Sequence, residues 1–98
     1  MLKKSVMENI TQVHCYFSGI VQGVGFRFTS RYLARKHNLK GWVKNLYDGR
    51  VELVAQGEKQ NIMNFLEDLK SEFSGYIKNI DLEWQTPQEE FEDFEIRF

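Results

Sequence analysis

Residues 19 to 27 read GIVQGVGFR, with three glycines within seven positions and an arginine two residues after the last. Glycine has no Cβ and reaches positive φ at little cost, so neighbouring amide N–H groups can turn toward one point and form a nest for an oxyanion. The segment separates a strand-like pattern from a helix-like one, and a helix N-terminus adds unpaired N–H groups and a partial positive charge. Arg27 falls in the first helical turn, where a cation opposes the helix dipole by roughly a few tenths to 1 kcal/mol unless an anion is shared. A phosphate satisfies both groups, with the guanidinium gripping two oxygens and the amides taking the rest. The same residues also read as a tight strand-to-helix turn carrying a surface arginine. Neither nucleotide-binding glycine motif fits: Phe28 stands where a dinucleotide loop needs glycine, and no Lys-Ser/Thr pair follows as a P-loop requires.

Asn45 is the second candidate, at the end of a short strand and just before a turn. Its amide offers an acceptor and donors without a titrating proton, so it can orient a water molecule. Asparagine also serves turns in its own right. His14 reads as a sheet-face residue, His37 as a helix C-terminal residue and Cys15 as core, and none is assigned chemistry. One cysteine forms no intramolecular disulfide, and one cysteine with two histidines supplies little for a metal cage, so no metal is expected.

These residues need a scaffold. Val13, Cys15 and Phe17 alternate with His14, Tyr16 and Ser18, which predicts a half-buried strand. From Phe26 to about His37 the spacing turns helical, with Phe28, Tyr32 and Leu33 expected to pack inward and Arg31, Arg35 and Lys36 to face water. A short strand at 40–46 and another at 50–56 flank the turn dipeptide Asp48-Gly49, a hairpin signature. Ile62, Phe65, Leu66, Leu69 and Phe73 then form a helical stripe that Ser74-Gly75 can end. Ile80, Leu82 and Trp84 alternate, and Phe94, Ile96 and Phe98 alternate after Pro87, predicting two further strands. The order βαββαβ plus a C-terminal strand predicts an α+β, ferredoxin-like α/β sandwich: an antiparallel sheet with two helices on one face. That layout serves many functions, so the site must decide among them.

Ninety-eight residues suit one domain, expected at 11–98, with residues 1–10 a flexible N-terminal extension. No apolar run approaches the roughly 20 residues of a membrane span, and MLKKSVMENIT lacks the apolar stretch of a secretion signal, so a cytoplasmic protein without membrane association is expected. Residues 1–50 hold nine basic and two acidic side chains, a net +7, whereas 51–98 hold four and twelve, a net −8. The basic half suits an anion, although folding can interleave the two halves into solvated faces. A pI near 6.1 argues against a general nucleic-acid coat. KGWVKNL at 40–46 loosely resembles an RNA-recognition octamer, but it holds only Trp42 as an aromatic and precedes the hairpin turn, so no nucleic-acid partner is expected.

Taken together, residues 13–98 resemble the acylphosphatase family. GIVQGVGFR looks like that family's phosphate loop with its closing arginine. GWVKNLYDGRVELVAQG, from Gly41 to Gly57, looks like the block that carries its asparagine, and the closing FEIRF looks like its tail. The resemblance implies a metal-independent, cofactor-free hydrolase that cleaves the carboxyl–phosphate bond of acyl phosphates. It further implies that the loop amides of Gln22, Gly23, Val24, Gly25, Phe26 and Arg27 hold the phosphate together with the Arg27 guanidinium. Asn45 then positions the attacking water, and the proton can pass to the substrate phosphate. By the same resemblance inorganic phosphate is both product and competitive inhibitor, and the protein is expected to be a monomer.

Overall fold

Alternation in β1 (Thr11–Gly19) places Val13, Cys15 and Phe17 on one face, all fully buried. In the computed structural model, which describes residues 9–98, this strand lies inside a five-stranded sheet. The chain continues through α1 (Phe26–Lys36), β2 (Lys40–Asn45), β3 (Val51–Gly57), α2 (Lys59–Glu72), β4 (Ile77–Gln85) and β5 (Phe94–Arg97). The strand order is β4-β1-β3-β2-β5. Of the ten residues expected as an extension, 1–8 lie outside the described residues. No helix of the described residues is long and apolar enough to cross a membrane.

The α+β, ferredoxin-like layout is the one expected, with one strand in a different direction. β1, β2, β3 and β4 pair antiparallel, but β5 runs parallel to β2, with Gly41 opposite Phe94 and Val43 opposite Ile96. The sheet is therefore mixed rather than antiparallel. The reason lies in the connection. β4 ends at Gln85 opposite Gln12, and β5 begins at Phe94 opposite Gly41, both at the same end of the sheet. Residues 86–93 thus cross from one edge to the other without running its length, so the chain returns antiparallel to β4 and parallel to β2. The side-chain amide of Gln56 clamps this crossing, donating to Glu89 O and to Gln12 Oε1 while accepting from the Phe91 N–H.

The second expected helix keeps its predicted face: Ile62, Phe65, Leu66, Leu69 and Phe73 are all buried. In α1 the face is rotated from the expected one. Leu33 is buried, but Phe28 and Tyr32 are exposed at 61% and 67%, and the inward set is Phe26, Ser30, Leu33 and Ala34. Small side chains at 30 and 34 let the helix backbone approach the sheet closely. The larger aromatics stay outside, with the Arg31 guanidinium 5.5 Å above the Phe28 ring.

Phe26 anchors the start of α1. Its ring sits 4.9 Å from Phe17 and 4.8 Å from Phe73, centroid to centroid, which joins β1, α1 and the end of α2. Aromatic pairs at such spacing add about 0.5–1.5 kcal/mol beyond their buried area. The residue next in the chain, Arg27, is therefore held at a fixed place on the sheet's end.

Candidate active site

The β1–α1 connection turns because two of its glycines adopt the left-handed conformation: Gly23 has φ +77° and Gly25 +80°. A Cβ at either would meet nothing within 4 Å, so the requirement is for the backbone angle and not for space. Gly25 is the N-cap of α1 and brings no side-chain cap, and the first turn carries no acidic residue. The first helical bond runs from the Thr29 N–H to Gly25 O at 3.0 Å, so the amides of Phe26, Arg27 and Phe28 find no acceptor further back along the helix. An open concavity of donors at a helix N-terminus is the result, and it favours an oxyanion.

Gln22 braces this loop from behind. Its Nε2 donates to Leu46 O at 2.7 Å and to Arg50 O at 2.9 Å, the carbonyls at the two sides of the β2–β3 turn. The turn itself closes through the Leu46 N–H to Arg50 O at 2.8 Å, and Asp48 Oδ1 accepts the Arg50 N–H at 3.1 Å. That backbone donor, followed by the Arg50 side chain, holds the Asp48 carboxyl below its ordinary pKa. The expected phosphate loop and the expected water-holding asparagine are thus tied together by one glutamine.

Two adjoining cavities meet at Arg27 and Asn45. One, of about 500 Å³, is lined by Gln22, Leu46 and Tyr47 together with Lys44, Arg97 and Phe98. The second, of about 260 Å³, is walled by the loop itself, Val21, Gly23, Gly25 and Phe26, with Phe28 at its edge. Arg27 and Asn45 line both. Among the described residues Arg27 pairs with no carboxylate; its guanidinium carbon lies 5.0 Å from the centre of the Phe98 ring. Asn45 is the last residue of β2, and its Oδ1 is buried without a hydrogen-bond partner. A buried acceptor in that state costs roughly 1–3 kcal/mol, which stability alone does not reward.

The remaining reactive groups are occupied elsewhere. Burial pushes the Cys15 thiol up to about 12, so it is no nucleophile at neutral pH. His14 Nε2 lies 2.7 Å from Glu52, and His37 Nε2 lies 2.7 Å from Asp68, and neither histidine lines the two cavities. No cluster of three or more His, Cys, Asp or Glu side chains suited to a metal occurs among the described residues. Trp42, the aromatic of the RNA-like stretch, has the Arg97 guanidinium carbon 4.6 Å from its ring centre.

Every residue of the expected site thus falls at one end of the sheet, though Gln22 contributes its side chain as a brace. Lys44, Tyr47, Arg97 and Phe98 were not anticipated there. The last two arrive from the far end of the chain through β5, and only the parallel pairing with β2 puts them beside Asn45.

Residues 13–96 match the family model for acylphosphatase. An acylphosphatase of Roseiflexus sp. (strain RS-1) is 37% identical over 91 residues, covering 92% of this chain and 98% of the relative. The crystal structure of acylphosphatase from Bacillus subtilis superposes with a TM-score of 0.84 at 37% identity, covering 90% of this chain and 99% of that one. A probable carbamoyltransferase HypF of Methanocaldococcus jannaschii is 44% identical over 87 residues, which is 87% of this chain but only 11% of that much longer protein.

Proposed function

The chain belongs to the acylphosphatase family and is an enzyme that hydrolyses acyl phosphates; from that premise we propose that Arg27 and the 22–27 loop hold the phosphoryl group while Asn45 orients the attacking water. The observation that carries the reading is that Asn45, a side chain with no hydrogen-bond partner for its buried Oδ1, lines both cavities together with Arg27. A side-chain amide lining the cavity hydrogen-bonds a water and fixes the direction of its lone pair.

Phosphoryl transfer spreads charge over the three equatorial oxygens, so fixed donors and positioning supply most of the rate. The loop amides and the Arg27 fork meet that charge. The water oxygen forms a bond to phosphorus as the bond from phosphorus to the acyl oxygen breaks, and the carboxylate leaves with that electron pair. The water's proton passes to a phosphoryl oxygen, giving a carboxylate and dihydrogen phosphate. A carboxylate is a weak base, with a conjugate-acid pKa of about 4, so its departure requires no general acid. On this reading inorganic phosphate competes with substrate, no metal takes part, and the protein works as a cytoplasmic monomer.

The leaving group supplies the test. Benzoyl phosphate should turn over in the presence of a chelator, whereas a simple alkyl phosphate, which expels an alkoxide, should be slower by at least ~10³-fold without an acid or metal to assist. Comparable rates on the two would contradict the mechanism.

A further inference from the structure

The larger cavity is more cationic than the phosphoryl chemistry requires. Besides Arg27 it is lined by Lys44 and Arg97, and no Asp or Glu side chain lines it. Arg35, Arg50 and Lys70 each hold a carboxylate within 4.0 Å, whereas among the described residues Lys44 and Arg97 hold none. The two are direct register partners on β2 and β5, so they stand side by side on one face. Asn45 and Phe98 follow them in the chain and point to the opposite face, the one on which Arg27 lies. The cavity therefore wraps around the end of the β2–β5 edge. Arg27 is on one side of the rim, and a pair of cations is on the other.

Arg97 is also presented for binding. Its guanidinium carbon lies 4.6 Å from the centre of the Trp42 ring and 6.0 Å from that of Phe91. Both rings are cation–π neighbours of the guanidinium, whose planar N–H fork matches a carboxylate or phosphate. Lys44 adds a mobile ammonium beside it. A cavity of about 500 Å³ takes a small acyl phosphate with a short chain beyond its carbonyl.

We propose that Lys44 and Arg97 form an acyl-end anion subsite, so that the preferred substrates are acyl phosphates whose acyl chain ends in a second anionic group. This rests on the proposed placement of the phosphoryl group at Arg27. The phosphoryl end sits on the helix side, the chain passes over the rim, and its terminal carboxylate or phosphate meets the two cations. The subsite then sets KM for such substrates and does not touch the reacting atoms.

The test compares succinyl phosphate with butyryl phosphate, which matches it in length and lacks the terminal charge. Wild type should favour succinyl phosphate about tenfold in kcat/KM, mainly through KM. The ratio should fall toward one in Lys44→Gln with Arg97→Gln, and at least halfway in Lys44→Gln alone, which leaves the Arg97–Trp42 contact in place. Arg31→Gln, which removes a cation outside this cavity, should keep the ratio. A wild-type ratio of one, an unaltered ratio in the Lys44 variants, or an equal fall in Arg31→Gln would overturn the subsite. Turnover of butyryl phosphate separates the two readings: if it persists, only the subsite fails, and if neither compound is hydrolysed the phosphoryl assignment fails with it.

Discussion

Replacement of Arg27 by alanine is expected to lower kcat/KM for benzoyl phosphate by about 10³-fold or more and to abolish inhibition by inorganic phosphate. The effect is large because the guanidinium supplies both the charge and the geometry at the equatorial oxygens, and among the described residues no carboxylate competes for it. The ring in cation–π contact with it, Phe98, is 92% exposed, so the lost contact is worth at most about 1 kcal/mol and the fold should survive. Arg27→Lys separates charge from shape. It keeps the cation and loses the fork, and should recover only a small part of the rate. Steady-state kinetics beside a thermal melt checks this; a folded Arg27→Ala enzyme with near-normal turnover would remove Arg27 from the mechanism.

Asn45→Ala should fail differently. We expect kcat to fall by about 10²–10³-fold while the inhibition constant for inorganic phosphate stays within a few-fold, because the amide touches water and not the phosphoryl oxygens. Stability offers a second, independent readout. If Asn45 served the turn before β3, its loss would lower Tm. The structure points the other way: the turn closes through backbone bonds and Asp48, while Asn45 Oδ1 is a buried acceptor without a partner. Removing it should leave Tm unchanged or raise it, the pattern of a residue kept for function at some cost to stability. A lower Tm with unchanged kcat would return Asn45 to a purely structural role.

Much of this was legible from local pattern. Alternation about Val13 to Phe17, the Asp48-Gly49 turn and the stripe from Ile62 to Phe73 each depend on neighbours within a few residues, and each forms where expected. The misread face of α1 has a different origin. Phe28 and Tyr32 are apolar enough to suggest burial, but the packing distance to the sheet is set by Ser30 and Ala34, and periodicity alone does not weigh small residues that way. The direction of β5 was hidden because a parallel or antiparallel fifth strand carries the same alternation. Only the route of residues 86–93 decides it. The site shows the same division. Arg27, the loop glycines and Asn45 announce themselves by type and spacing, whereas Arg97 and Phe98 enter the cavity through a long-range strand pairing. Gln22 was read only as a loop amide, and that its side chain also spans to two carbonyls of the hairpin is a contact that needs the fold to be known.

The central claim is that the turn around Gly23 and Gly25, with Arg27, is the phosphate site, and amide NMR during a titration with inorganic phosphate tests it most directly. The account predicts saturable shifts concentrated on the backbone N–H groups of Gly23, Val24, Gly25, Phe26 and Arg27 and on the Asn45 side-chain amide, with the backbone shifts lost in Arg27→Ala. Saturable shifts confined to another surface, or none at the loop in an enzyme that still hydrolyses benzoyl phosphate, would contradict it.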